Sequence, residues 1–300
     1  MDAGDEREQG RGRDRDDRKT PHVKESQKHI RVTERRNPRS RGLHRKSPRE
    51  ILRIISREDA QVARAVAREI PAIARAVETI VRALGRGGRL IYVGAGTSGR
   101  LATLDAAEVP PTFGVSSKMV QAVIAGGRRA LTKAVEGAED SAAAGARDLK
   151  AKRVSARDVV VGITASGTTS YVLGALAYAR QRGAVTIALT ANRGTPVSQA
   201  ARITIAPQTG PEVVTGSTRM KAGTAQKMVL NMLSTTAMVR LGRVYDNWMI
   251  GVALTNRKLR ERGVRILCQA TGASVAEAER ALRQAGDRLP VALERLKKRG

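Results

Sequence analysis

The stretch from Arg89 to Pro111 constrains the fold of this chain more than any other segment. It opens with the apolar run Leu90 to Val93, whose β-branched and aromatic residues are typical of a buried strand. Gly94, Gly96 and Gly99 follow, and glycines allow the backbone to turn sharply and to approach a ligand closely. The stretch therefore predicts a strand, a glycine-rich loop and then a helix.

Two hydroxyl side chains, Thr97 and Ser98, lie in this loop at the predicted start of the helix. The N–H groups and the dipole of a helix N-terminus attract anions, so we expect a phosphate to bind there. We expect the helix to run to about Glu108 and to be stopped by Pro110 and Pro111. A glutamate at a helix end beside apolar residues should have a raised pKa, as a general acid requires; the alternative is a solvated surface glutamate.

The spacing Gly94-x-Gly-x-x-Gly99 also matches the dinucleotide-binding fingerprint, which requires an acidic residue about 20 positions further on. The next predicted strand, Val120 to Ile124, is followed by Ala-Gly-Gly and not by an acid. A compact monophosphate therefore fits the two hydroxyls of the loop better than a dinucleotide does, and better than a purely structural turn.

Apolar runs alternate with helical stretches after Arg89, and this alternation predicts an α/β fold with a parallel sheet flanked by helices. The predicted strands are Leu90–Val93, Val120–Ile124, Asp158–Ile163, Val185–Leu189 and Ile203–Ile205.

The strand that begins near Val159 leads into a second hydroxyl-rich loop, which contains Ser166, Thr168 and Thr169. Both loops follow the carboxyl ends of parallel strands, where α/β folds bind ligands, so the two can face one ligand. Further along, Arg219 and Lys221 lie in the first turn of a long predicted helix, where the dipole disfavours cations. Their expected partner is a bound anion or a carboxylate; solvated side chains are the alternative.

The composition excludes several classes of protein. The only histidines, at positions 22, 29 and 44, precede the predicted core, so we expect neither a histidine-based metal site nor a triad, and no cofactor. The single cysteine, the missing signal-peptide pattern and the lack of a long apolar run predict a cytoplasmic protein without a membrane segment. The net charge of +27 is spread along the chain and only six residues are aromatic, so no specific nucleic-acid site is expected.

We predict three regions along the chain. Residues 1–46 are expected to form a basic disordered extension, because apolar residues are scarce there. Residues 47–241 should form the α/β domain, opened by a helical pair that starts with the capping box Ser47-Pro-Arg-Glu50. Residues 242–300 should form a small helical appendage. The helices at 47–84 and 218–241 carry more apolar surface than one sheet face needs, which favours a homodimer.

Four motifs resemble the N-acetylmuramic acid 6-phosphate etherase family of the sugar-isomerase domain superfamily. They are Gly94-Ala-Gly-Thr-Ser-Gly-Arg100, Asp105-Ala-Ala-Glu-Val-Pro-Pro-Thr-Phe-Gly114, Ala134-Val-Glu-Gly-Ala-Glu-Asp140 and the segment from Gly210 to Lys227, in a similarity that starts near Thr33. Parts of these motifs are shared with the glucokinase regulatory protein. The resemblance implies a Rossmann-like sandwich and a sugar-phosphate substrate.

The resemblance also implies an activity: cleavage of the lactyl ether of N-acetylmuramic acid 6-phosphate, without a metal, by elimination and hydration. The catalytic glutamates of the family fall on Glu108, as the acid that protonates the departing lactate oxygen, and on Glu139. Thr97, Ser98, Ser166, Thr168, Thr169, Arg219 and Lys221 are the expected substrate-binding residues.

The sequence departs from the family pattern in two motifs, where Thr168 replaces a common arginine and Val109 a common cysteine. A non-catalytic sugar-phosphate-binding regulator is the alternative function, disfavoured by the presence of both glutamates. A DNA-binding regulator is disfavoured because residues 1–46 lack the apolar periodicity of a helix-turn-helix.

Overall fold

The computed structural model describes residues 31–298, and these residues form a five-stranded parallel sheet covered by helices on both faces. The strands have the order β2-β1-β3-β4-β5 across the sheet. Their bounds are Leu90–Gly94 (β1), Val120–Ile124 (β2), Val159–Ile163 (β3), Val185–Leu189 (β4) and Ile203–Ile205 (β5). All five predicted strands are thus present within a residue of their expected ends, and the α/β fold with a parallel sheet is confirmed.

Eleven α-helices accompany the sheet in the described part of the chain. They are Pro48–Asp59 (α1), Val62–Ala67 (α2), Ile70–Gly85 (α3), Gly96–Phe113 (α4), Ala142–Ala151 (α5), Ser170–Gln181 (α6), Pro196–Ala200 (α7), Lys221–Arg240 (α8), Arg257–Thr271 (α9), Val275–Gln284 (α10) and Leu289–Lys297 (α11). The predicted capping box at Ser47 is present, with the Ser47 hydroxyl accepting from the Glu50 N–H and the Glu50 side chain accepting from the Ser47 N–H.

Two apolar layers enclose the sheet. One layer packs α2, α3, α4 and α8 against side chains such as Leu90, Tyr92 and Val161. The other packs α5, α6 and α7 against the alternate side chains, including Ile91 and Val160. Because successive side chains of a strand point to opposite faces, one continuous apolar run serves both layers.

Helix α4 does not end near Glu108 as predicted but continues through Pro110 and Pro111 to Phe113. Both prolines lie in its last turn, and Val109 and Phe113 remain buried against the core. The helix closes at Gly114, which has a φ of +61° and lies so close to the Gly251 carbonyl that a Cβ would clash. Packing of the last turn therefore outweighs the interruption that the prolines cause.

Residues 31–46 are not the disordered segment that the sequence predicted. They form three short 3-10 turns, and Thr33, Asn37 and Ser40 are buried. The Ser40 hydroxyl donates to the Val213 carbonyl at 2.7 Å, and the Asn37 amide donates to Glu58 at 2.8 Å. Polar contacts to distant parts of the fold, which local apolar content does not reveal, hold this segment. The remainder of the predicted extension, residues 1–30, lies outside the described residues.

The C-terminal helices α9 to α11 pack around an apolar cluster of their own, which includes Leu267, Leu282 and Leu289. A two-stranded antiparallel ribbon, Val244–Tyr245 with Trp248–Met249, connects them to α8. Among residues 31–298, no helix has the length and apolar character needed to cross a bilayer.

Candidate functional site

A cleft of about 270 Å³ opens at the carboxyl edge of the sheet, between the two hydroxyl-rich loops. It is lined by Glu34, Ala95, Gly96, Thr97, Ser98, Glu139, Ile163, Thr164, Ala165, Ser166, Thr169, Gly216 and Thr218. Five of the nine predicted site residues, namely Thr97, Ser98, Ser166, Thr169 and Glu139, therefore meet around one cavity. Polar atoms contribute most of its surface, as a hydrophilic ligand requires.

The first loop presents the start of α4 to this cleft. The helix begins at Gly96, and no side chain caps it. The first N–H groups of a helix have no intrahelical partner, so those of Gly96, Thr97 and Ser98 are available to an anion in the cleft. Gly99 is held against β1 and β2 so closely that a Cβ would lie 2.5 Å from the Ile124 side chain, which explains the glycine at this position.

The buried Ser98 hydroxyl is already engaged, because it donates to Gln226 Oε1 on α8 at 2.9 Å. The other amide atom of this side chain, Gln226 Nε2, is buried and lacks a hydrogen-bond partner within residues 31–298. Gln226 was not singled out as a site residue in the sequence, and it lies 128 positions from Ser98.

In the second loop, four hydroxyls form a connected network. Thr164 Oγ1 lies 2.7 Å from Thr169 Oγ1 and 3.2 Å from Ser166 Oγ, and the Thr168 hydroxyl donates to Ser166 Oγ at 3.2 Å. Ser166 and Thr169 line the cleft, but Thr168 does not. Thr168 thus supports Ser166 from behind, while Thr164, which the sequence did not single out, belongs to the lining.

Glu139 lies in a turn before α5. Its side chain is exposed at the cleft, and its carbonyl accepts from the Tyr171 N–H at the start of α6, at 3.0 Å. The turn is therefore fixed by the backbone of Glu139 itself to the start of α6, directly after the second loop.

Glu34 is a second carboxylate at the cleft, and the sequence did not single it out as a site residue. It ends the first 3-10 turn, and the neighbouring Val32 N–H donates to Asn192 Oδ1 at 3.0 Å. Asn192 Nδ2 donates in turn to the Ala165 carbonyl at 2.9 Å, which ties this turn to the second loop. The position of Glu34 depends on these long-range contacts, so local pattern could not have revealed it.

Glu108 lies outside this cleft. It is exposed on α4 and lines a separate cavity of about 230 Å³, together with Leu101, Leu104, Asp105, Lys227, Leu230 and Asn231. The prediction that it ends its helix is wrong, since α4 continues for five more residues. Asp105, in the same cavity, accepts from the hydroxyls of Tyr92 and Ser234, and burial raises its pKa despite these contacts.

Arg219 and Lys221 are also absent from the cleft lining. Arg219 is exposed just before α8. The side chain of Lys221 is fully buried, and its ammonium donates to Glu58 Oε2 at 2.6 Å. Of the partners that the sequence left open for Lys221, the structure therefore shows a carboxylate of the protein. Within residues 31–298 no group of three or more His, Cys, Asp or Glu side chains is placed to hold a metal ion.

Comparison with known proteins agrees with this architecture. Residues 72–180 match the glucokinase regulatory protein N-terminal SIS domain, and residues 128–236 match the SIS domain. A crystal structure of a candidate phosphosugar isomerase involved in capsule formation, from Bacteroides fragilis, superimposes with a TM-score of 0.50 at 18% identity. It covers 67% of this chain and 95% of its own, and it confirms the fold.

Two relatives are far more similar in sequence. The N-acetylmuramic acid 6-phosphate etherase of Geobacillus thermodenitrificans is 52% identical over 262 residues, which cover 87% of this chain and 89% of the relative. The enzyme of the same name from Yersinia pestis is 54% identical over 253 residues, which cover 84% of this chain and 86% of the relative.

Proposed function

The chain belongs to the N-acetylmuramic acid 6-phosphate etherase family, and we propose that it cleaves the lactyl ether of N-acetylmuramic acid 6-phosphate. The reaction consumes water and gives N-acetylglucosamine 6-phosphate and D-lactate, so the enzyme is a carbon–oxygen lyase of amino-sugar recycling. The structural observation that supports this function is one polar cleft, which the α4 N-terminus, the second hydroxyl-rich loop and Glu139 all line.

The phosphate binds between the two loops in this proposal. The uncapped N-terminus of α4 supplies backbone N–H donors and the positive end of the helix dipole. Thr97, Ser166 and Thr169 supply hydroxyl donors from both sides of the cleft. Thr168 contributes indirectly, because it holds Ser166. This proposal requires no direct contact of Arg219 or Lys221 with the phosphate. Lys221 instead fixes the N-terminus of α8.

Ser98 joins the phosphate site by a change of partner. Rotation of the Gln226 amide by half a turn would let Nε2 donate to Ser98 Oγ. The Ser98 hydroxyl would then be free to donate a hydrogen bond to a phosphate oxygen. The unpartnered Nε2 atom favours that arrangement once the phosphate offers an acceptor. Gln226 is then a positioning residue for Ser98.

Glu139 is the proposed base at C2 of the opened sugar. Its exposed carboxylate borders the cleft beside the loops that hold the phosphate. Removal of the C2 proton allows the lactate oxygen to leave from C3, and the same carboxylate can guide the water that adds to the unsaturated aldehyde. Glu108 is the proposed acid that protonates the departing lactate oxygen.

The two glutamates cannot reach one sugar within a single chain. Glu108 lies twelve positions after Gly96 in α4, which is about 18 Å along the helix axis and more than a monosaccharide spans. Glu108 therefore acts on the sugar in the cleft of a second copy. Exposed apolar side chains support a homodimer: Leu104 lines the same cavity as Glu108, and Ile70 and Val239 are exposed on α3 and α8.

A non-catalytic sugar-phosphate regulator is the second candidate, because residues 72–180 match the glucokinase regulatory protein domain. Incubation of the protein with N-acetylmuramic acid 6-phosphate and enzymatic assay of D-lactate distinguishes the two. Release of D-lactate supports the etherase, whereas binding of the substrate without turnover supports the regulator. We also propose that the protein is located in the cytoplasm, where phosphorylated sugars are metabolised.

A further inference from the structure

A cavity of about 640 Å³ lies at the opposite edge of the sheet from the sugar-phosphate cleft. It is bordered by the first residues of three neighbouring parallel strands, Val159, Val185 and Ile203. The sugar-phosphate cleft follows the last residues of the same sheet, for example Ile163. A five-residue strand separates the two edges by about 13 Å, so one small ligand cannot occupy both.

The walls of this cavity carry a concentrated positive charge. Five arginines line it, three from α3 and its end and two from the loops before β3 and β5: Arg75, Arg82, Arg86, Arg157 and Arg202. None of the five is within ion-pair distance of a carboxylate among residues 31–298. One of them is oriented by the protein, since Arg82 Nη2 donates to Thr79 Oγ1 at 3.3 Å.

Two acidic residues line the same cavity, but only one can offset this charge. Asp158 is buried and accepts from the Arg89 guanidinium at 2.7 and 3.0 Å and from the Ser155 N–H at 2.9 Å. Burial alone would raise the pKa of Asp158, but its contacts with Arg89 lower it. Its negative charge is therefore committed to Arg89, a sixth arginine, and Glu78 is left as the counterion for five guanidiniums.

We propose that this arginine-lined cavity binds a small anion that carries two or more phosphate groups. Guanidinium forms bidentate, charge-assisted hydrogen bonds with phosphate oxygens, and five of them exceed what one phosphate can use. The volume accommodates a chain of phosphates. The lining contains no aromatic residue for base stacking, so recognition rests on the phosphates and not on a base.

The test is calorimetric titration of the full chain with inorganic tripolyphosphate, with orthophosphate as the weaker comparison. The double variant Arg82→Gln/Arg157→Gln should bind tripolyphosphate at least about tenfold more weakly. The matched control Arg180→Gln/Arg280→Gln removes the same charge from exposed helical positions outside the cavity, and its affinity should stay within about twofold of the parent. Titration in the presence of saturating N-acetylglucosamine 6-phosphate should leave the affinity unchanged.

Several results would overturn the proposal. Equal loss of affinity in both double variants would show that the net charge of +27, and not the cavity, attracts the anion. Displacement of tripolyphosphate by the sugar phosphate would assign binding to the other edge of the sheet. Parent-like affinity of the Arg82→Gln/Arg157→Gln variant for tripolyphosphate would also place binding outside this cavity. Because D-lactate release is assayed separately, failure of this proposal is distinguishable from failure of the etherase assignment. Arg202→Gln alone, in the loop before β5, provides a second test if the double variant does not fold.

Discussion

Lys221 Nζ lies 2.6 Å from Glu58 Oε2, and neither side chain exposes more than 1% of its surface. Glu58 also accepts hydrogen bonds from the side chains of Asn37 and Arg39. One carboxylate on α1 therefore joins the N-terminal segment to the start of α8. Asn37 donates in addition to the Pro211 carbonyl at 3.1 Å, which extends the connection to the segment that carries Gly216 and Thr218 into the cleft.

Acid should destabilise the protein through Glu58. Burial would raise the pKa of Glu58, but hydrogen bonds from Arg39, Lys221 and Asn37 outweigh it and lower the pKa from 4.5 to about 2. A lowered native pKa stabilises the fold above the unfolded value, and that stability is lost as pH falls from about 4.5 towards 2. We expect the loss to be on the order of 3 kcal/mol. Urea titrations across this pH range measure it, and Glu58→Gln should flatten the acid limb whereas the exposed Glu294→Gln should not.

Lys221→Met should destabilise the fold strongly at neutral pH. Removal of one partner leaves the Glu58 charge buried with less compensation, which typically costs about 3–5 kcal/mol. The double variant Lys221→Met/Glu58→Gln should lose less stability than the two single changes summed, because the residues act as a pair. Urea unfolding of all three variants gives this coupling. Additive losses would show that the pair is not energetically connected.

Lys221 shows which kind of contact the sequence alone does not predict. Its position at a helix N-terminus correctly indicated that an anion lies nearby, but the carboxylate that fills this role is 163 residues away. Glu34 reaches the cleft through similar long-range contacts. The strands, in contrast, were predictable because a short β-branched run between glycines is a local signal. Helix α4 was predicted too short because the rule that proline ends a helix ignores the packing of Val109 and Phe113.

Ser166→Ala should weaken binding of the product N-acetylglucosamine 6-phosphate by roughly 2- to 12-fold, which corresponds to about 0.5–1.5 kcal/mol for one neutral hydrogen bond. Ser98→Ala should have a similar effect, whereas Gln226→Leu tests whether that amide positions Ser98. Calorimetric titration measures each affinity. Ser56→Ala, an exposed hydroxyl change on α1, serves as the control. Unchanged affinity in both Ser166→Ala and Ser98→Ala would remove the hydroxyl loops from the phosphate site.

Glu108→Gln and Glu139→Gln should separate the two halves of the elimination. Glutamine keeps the shape of glutamate but supplies no proton, and general acid catalysis is typically worth about 10²–10⁴ in rate. Glu108→Gln should therefore slow lactate release by a factor near the upper end of this range, because an alkoxide is a poor leaving group. The same variant should retain deuterium exchange at C2. Glu139→Gln should lose that exchange. An NMR time course in deuterated buffer follows both events, and near-normal lactate release by Glu108→Gln would contradict its role.

Mixing these two inactive variants tests whether one site combines residues from two chains. In a mixed dimer, a site that pairs Glu108 of one chain with Glu139 of the other is intact once and doubly altered once. Random exchange makes half of the dimers mixed, and each of these has one intact site. The mixture should therefore recover about a quarter of the parent activity.

Sites confined to single chains predict the opposite result, since every chain in the mixture carries one inactive residue and no activity returns. The variants are mixed under conditions that allow subunit exchange, and D-lactate release is assayed against each variant alone. Leu104→Glu places a charge on the exposed apolar face beside Glu108, so it should lower both the dimer fraction in sedimentation and the recovered activity. A monomeric mass for the parent protein at micromolar concentration would refute the shared site. Glu108 lies about 18 Å from Gly96 along α4, so without a second chain it could not reach the sugar in the cleft.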